Sequence, residues 1–218
     1  LIEHSKCLVF ATERVLNSLQ GLIKAGGFAE IYRSEVEFKL HLKEIIDGVA
    51  FLHTNAKMAH LNICPENIYV TEQNKWKISG LNFAISVAGE NKEKSVFKEN
   101  DAILKEFPAI FQPNPSYSPP EVFDSSNKLS ICSDIFSLGM LMLTILSNLE
   151  EKASKEALFV CSSISKHKDE LTAYIAQLET FSFFQKLNPN LKFILSRMLN
   201  LNQSSWPIFQ EVSSCLWL

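Results

Sequence analysis

Met58-Ala59-His60-Leu61-Asn62-Ile63-Cys64-Pro65-Glu66-Asn67-Ile68-Tyr69-Val70 is the stretch on which the reading of this chain turns. Two short apolar segments flank a tight polar loop, and Pro65 fixes the backbone inside it. A loop that gathers His, Asn, Cys and Glu between strand-forming flanks is where a fold places chemistry. Upstream, Leu42, Ile45, Ile46, Val49 and Ala50 recur at helical spacing, so a long amphipathic helix is expected over Glu35 to His53. On that helix His53 reads as a packed side chain rather than a ligand. Downstream, Ile68-Tyr69-Val70 and Trp76-Lys77-Ile78 read as strands joined by the polar turn Thr71 to Asn74.

Further out, Cys7 to Ala11 reads as a strand and Leu16 to Ile23 as a weak helix that stops at Ala25-Gly26-Gly27. Ser86 to Phe107 carries mixed charge without a period and reads as a surface loop. Ser130 to Leu149 is apolar on nearly every face, which predicts a helix buried at the centre of a domain. Asp134 near its start must then be paired, and loop backbone amides are its cheapest partners. Three more helices are expected over Leu171 to Leu178, Asn190 to Leu199 and Pro207 to Leu216, with Pro189 and Pro207 in first turns. Trp206, Phe181, Phe183 and Phe184 are expected to pack in the core.

Composition narrows the classes. The chain has 218 residues, 46% of them hydrophobic, and a net charge of −3. That balance argues against a nucleic-acid partner. Arg14, Arg33 and Arg197 are the only arginines, few for phosphate recognition. Cys7, Cys64, Cys132, Cys161 and Cys215 are scattered without a paired motif, which favours reduced thiols in the cytoplasm over disulfides or a zinc site. No run is long and apolar enough for a membrane span, and no signal peptide is visible. The chain starts without Met, so it is expected to be part of something longer. Asn202-Gln203-Ser204 matches a glycosylation sequon, a pattern that chance supplies often.

His60 to Asn67 resembles the catalytic loop of protein kinases, H-R-D-x-x-x-x-N, with Asn62 where the pattern has Asp. Three more landmarks follow in order. Gly80-Leu81-Asn82 stands where D-F-G is expected, Pro119-Pro120-Glu121 where A-P-E is expected, and Asp134-Ile135-Phe136-Ser137-Leu138-Gly139 matches D-x-[WF]-S-x-G. Together they identify the chain as similar to a kinase large lobe. The resemblance implies an α+β, mainly α, kinase-like fold: residues 1–15 as the end of the small lobe and hinge, and residues 16–218 as one large-lobe domain. It makes Thr12 the gatekeeper and Glu13, Arg14 and Val15 the hinge that would face a nucleotide. By themselves those residues fit an edge strand running into a loop equally well. The wording around the landmarks is closer still to the SCY-one-like pseudokinases, especially the branch linked to clathrin-coated vesicles.

Phosphoryl transfer needs divalent metal on the phosphates, a group orienting the nucleophile and cations on the developing charge. Asn62 takes up no proton near neutral pH, a loss of roughly 10²–10⁴ in rate. Gly80 offers no carboxylate to a hard cation. Cys64 stands where the loop Lys is expected, a loss of roughly 3 kcal/mol. Cys64 with His60 as helper could be a nucleophile, but nothing argues for a depressed thiol pKa, and an inert Cys is expected. The shape-bearing positions His60, Pro65, Asn67, Glu121, Asp134 and Gly139 keep the pattern, and Leu81 stands where the Phe would pack. Glu121 has lost its usual Arg partner, because Trp206 occupies that place; either Arg197 substitutes or Glu121 is solvated.

The resemblance therefore implies a pseudokinase, not an enzyme, with no metal and no cofactor. ATP enters only if a longer chain supplies the small lobe. It implies protein partners such as clathrin or its adaptors, and a place at Golgi, endosomal or coated-vesicle membranes by peripheral association. One rival is a divergent kinase or nucleotide-binding domain completed upstream. Another is an unrelated helical interaction domain.

Overall fold

The computed structural model describes residues 2–4, 7–9, 12–26, 35–86, 113–122, 130–149, 158–162 and 166–215. Strands β1 (Ile2–His4) and β2 (Cys7–Val9) form an antiparallel pair. Strand β3 (Val15–Ser18) leads into α1 (Leu19–Lys24), and α2 runs from Glu35 to Phe51. Four more strands follow: β4 (Met58–Ala59), β5 (Ile68–Thr71), β6 (Trp76–Ile78) and β7 (Ile85–Ser86). The rest is helical: α3 (Ser133–Leu149), α4 (His167–Gln177), α5 (Ser182–Gln185), α6 (Pro189–Met198) and α7 (Phe209–Cys215).

The expected helix from Leu16 begins three residues later. Leu16 to Ser18 instead continue β3, which pairs antiparallel with β5 through Val15↔Thr71, Asn17↔Val70 and Ser18↔Tyr69. Ser18 then caps α1, its hydroxyl accepting from the Gly21 amide at 3.1 Å. β5 also pairs with β6, with Val70 opposite Trp76, so the expected hairpin is part of a three-stranded sheet with β5 in the middle. β4 and β7 make a separate two-stranded ribbon, Ala59 opposite Ile85. The surface loop expected from Ser86 onwards lies outside the described residues beyond Ser86, as does Leu216 of the last helix.

α3 is the axle. Every residue from Ser133 to Ile145 is buried on it, as its near-continuous apolar sequence demands. Gly139 lets α6 come close: a Cβ there would lie 3.1 Å from Met198 Cβ and from Leu199 Cδ2. Leu42, Ile45, Ile46 and Val49 of α2 bury their stripe in the same core, with Trp76, Phe136, Phe184 and Trp206. Pro189 opens α6 as expected, with Asn188 accepting from the Asn190 amide. Pro207, by contrast, lies two residues ahead of α7. Among the described residues no helix is long and apolar enough to cross a membrane.

Candidate functional site

The His60 to Asn67 loop leaves β4 and returns to β5 through a 3-10 turn at Pro65–Asn67. Its position is set from below by α3. Asp134 Oδ2 accepts from the His60 amide at 2.7 Å, and Oδ1 accepts from the Leu61 amide at 2.8 Å. Leu61 sits at φ 61°, left-handed backbone that a branched side chain adopts only under constraint, and Asp134 supplies the constraint. The same carboxylate meets His53 Nε2 at 2.7 Å. α2 ends in a π-type turn, Leu52–Ala56, which carries His53 onto Asp134. Thus the expectation for Asp134 holds, and His53 is a packed residue as expected, though its partner, 81 positions away, left no mark in the local pattern.

His60 is fully buried with both ring nitrogens engaged. Nε2 donates to the Ser79 carbonyl at 2.8 Å, and Nδ1 accepts from the Asn62 amide at 3.2 Å. A carbonyl can only accept and an amide can only donate, so the ring is the neutral Nε2–H tautomer. Burial pushes its pKa below the ordinary value, against the pull of Asp134.

Asn62 is used by the fold. Its Oδ1 accepts from the Asn114 amide at 3.1 Å, while its backbone carbonyl accepts from Asn67 Nδ2 at 2.9 Å. Cys64 is buried, with Asn67 Nδ2 3.4 Å from its sulfur. Burial raises its thiol pKa far above the usual range, so it stays protonated and inert, in line with the expectation. Asn67 closes the loop through its own backbone as well, donating to the Cys64 carbonyl and accepting from the Ser79 amide.

Gly80 differs from the expected carboxylate in more than charge. It turns at φ 81°, and an added Cβ would lie 2.3 Å from Asn67 Cγ. The side-chain space at this position is filled by Asn67. No group of three or more His, Cys, Asp or Glu among the described residues could hold a metal ion. Leu81 does not pack as expected: it is 50% exposed, and Phe83 instead joins the small cluster of Ala59, Leu61, Ile85 and Val122.

Glu121 also departs from both alternatives. It is buried, so it is not solvated, and its Oε1 accepts from Ser133 Oγ at 3.1 Å. Arg197 turns elsewhere, pairing with Glu211 at 3.1 Å and donating to the Ser205 carbonyl. Trp206 packs beside Phe136, with its indole N–H on the Asn200 carbonyl. The residues expected at the hinge are exposed. Arg14 pairs with Glu72, Glu13 lies 3.6 Å from Lys77, and Val15 opens β3. The two ion pairs lead to the β5–β6 hairpin.

Sequence comparison places these contacts in a family. The pattern of the protein kinase domain matches residues 1–218. The chain belongs to the protein kinase family. Its mainly helical fold is therefore kinase-like. Within the family the domain is similar to SCY1-like protein 2 of Mus musculus, 28% identical over 90% of this chain and 22% of that protein. It is 31% identical to SCY1-like protein 2 of Homo sapiens, over 79% of this chain and 19% of the relative. Protein kinase-like protein SCY1 of Saccharomyces cerevisiae is 26% identical over 92% of this chain and 25% of its own. These relatives support the SCY1-like branch. This kinase-family chain spans about a quarter or less of the length of the curated relatives it matches.

Proposed function

We propose that this chain is the large lobe of a pseudokinase that works by binding other proteins rather than by transferring phosphate. The observation that carries the proposal is the use made of Asn62. Where phosphoryl transfer needs a carboxylate free to meet the substrate hydroxyl, an amide oxygen is bonded to the Asn114 backbone. Gly80, turned against Asn67, adds a second missing carboxylate. The frame residues His60, Asn67 and Asp134 hold the loop regardless, as expected of a domain kept for its shape. By family resemblance the setting is clathrin-linked traffic at Golgi and endosomal membranes, with clathrin or adaptor proteins as partners. The resemblance also supports a cytoplasmic domain that reaches those membranes peripherally.

The test uses this chain joined to a kinase-type small lobe, as a longer protein would carry it. With ATP, magnesium and a protein substrate, transfer is expected to stay at the level of the blank. Turnover that disappears in an Asn67→Ala variant would instead establish a divergent kinase. In a binding assay with purified clathrin and adaptor complexes, the longer protein is expected to retain one of them. Retention of neither would remove the trafficking part of the proposal.

A further inference from the structure

The turn from Pro113 to Ser118 is pinned to the rest of the domain by a chain of bonds that begins at His60. Asn62 donates its amide to His60 Nδ1 at 3.2 Å and accepts the Asn114 amide on Oδ1 at 3.1 Å. The link from ring to turn therefore passes through one residue. We propose that His60 is an acid-sensitive latch on this turn. When a proton from solvent adds at Nδ1, the ring nitrogen becomes a second donor facing the Asn62 N–H. Two donors cannot share a hydrogen bond, so Asn62 turns away and Asn114 loses its acceptor. Nε2 keeps its bond to Ser79, because it donates in both charge states.

The charged and titratable groups around the ring come from three elements. Asp134 on α3 favours the added proton, and His53 at the end of α2 opposes it when charged. From the loop itself, Cys64 is buried and protonated and Glu66 is exposed. Burial of the ring outweighs the pull of Asp134, and the neutral form holds at neutral pH.

A second histidine touches the same turn and provides an internal contrast. His167, buried at the start of α4, donates from Nε2 to the Pro115 carbonyl at 2.8 Å. Glu170 on the same helix is the charge that favours its protonated form. Protonation leaves Nε2 a donor, so this bond persists in acid. Further ties of the turn among the described residues are Tyr117 to Thr144 at 3.1 Å, Ser116 to the Cys161 amide at 3.1 Å, and an exposed, long bond of 3.5 Å from Asn114 Nδ2 to Glu66, which does not involve the Asn114 backbone amide. Acid thus loosens the Asn114 end and leaves the Pro115 to Tyr117 ties in place.

The test is amide hydrogen exchange on the full chain, corrected for intrinsic rates, with the His60 Hε1 resonance followed from about pH 7.5 to about pH 5. Asn114 protection is expected to fall roughly fivefold to tenfold, the worth of one hydrogen bond, in step with the His60 titration. Amides of β5 keep their protection. His60→Gln, which cannot titrate, is expected to abolish the step, and Asn62→Ala to leave Asn114 unprotected at every pH. Three results would overturn the latch: Asn114 protection unchanged while His60 protonates, loss that spreads equally to β5, or a His60 ring that stays neutral until the fold melts.

Discussion

Gly80 and Asn67 interlock: Gly80 turns through φ 81° because the Asn67 carboxamide fills the place its Cβ would take, 2.3 Å from Asn67 Cγ. Any side chain at residue 80 meets backbone strain and a steric clash together. Gly80→Ala is expected to lower stability by more than the roughly 1–2 kcal/mol that left-handed backbone alone costs an L-residue. Gly26 is the control. It has φ 71° with nothing within 4 Å of an added methyl, so Gly26→Ala carries the strain without the clash. Thermal unfolding of both variants measures the difference, and equal losses would show that Asn67 moves aside freely. For the same reason Gly80→Asp is expected to disturb the loop rather than create a metal site.

Asp134 satisfies two loop amides and His53 in a fully buried place. Asp134→Ala leaves those donors without their acceptor, and a loss of roughly 3–5 kcal/mol is expected. Urea unfolding is the measurement. A variant within about 1 kcal/mol of the parent, the worth of one ordinary hydrogen bond, would mean that water replaces the carboxylate.

Arg197 and Ser133 should rank in the order opposite to their charge. The Arg197–Glu211 pair is open to solvent on one side, so Arg197→Ala is expected to cost about 1 kcal/mol or less. Ser133→Ala removes a donor from the buried Glu121 carboxylate and is expected to cost roughly 1–3 kcal/mol. Melting curves of the two variants decide the order.

Stability should fall in mild acid. Burial holds His60 and His167 below their ordinary value of 6.5. In the unfolded chain both return to that value, so between the two states the unfolded form binds more protons. The stabilisation is complete above pH 6.5 and drains away as pH falls through the lower native values. Urea midpoints measured between neutral pH and about pH 5 should decrease; a flat profile would place both rings in contact with solvent.

Thiol chemistry should separate two cysteines. Cys132 is exposed and Cys64 is buried with a raised pKa. Iodoacetamide at mildly alkaline pH is expected to modify Cys132 in the folded chain and to reach Cys64 only on unfolding. Mass spectrometry of the digested protein reads both sites.

The elements built on long apolar patterns are legible in the sequence. α2 and α3 announce themselves by periodicity or by its near-absence in a buried run, and Asp134 announces its need for partners because a carboxylate in that run has no other way to persist. What escapes a sequence reading depends on residues distant in the chain. Leu16 to Ser18 carry helical spacing weakly, and the strand they form exists because β5 offers its edge. His53 pairs across 81 positions through a π-type turn that no local signal marks. Glu121 reads as a carboxylate in need of Arg197 or of water, but it is buried and a Ser hydroxyl 12 residues away is among its partners. Leu81 keeps the apolar character of its position without keeping the packing, since the following turn sends Phe83 inward instead.

The bonds of Asp134 have a consequence for the order in which the molecule assembles. They join α3 to segments 73, 74 and 81 residues earlier in the chain. Closing intervals of that length costs entropy that only a docked helix repays, and contacts so remote in sequence form slowly. The local bonds of the loop, made by His60 and Asn67, leave the His60 and Leu61 amides to Asp134. The left-handed turn at Leu61 is therefore expected to settle only once α3 is seated, and a nascent chain that ends before residue 134 lacks the carboxylate that fixes it.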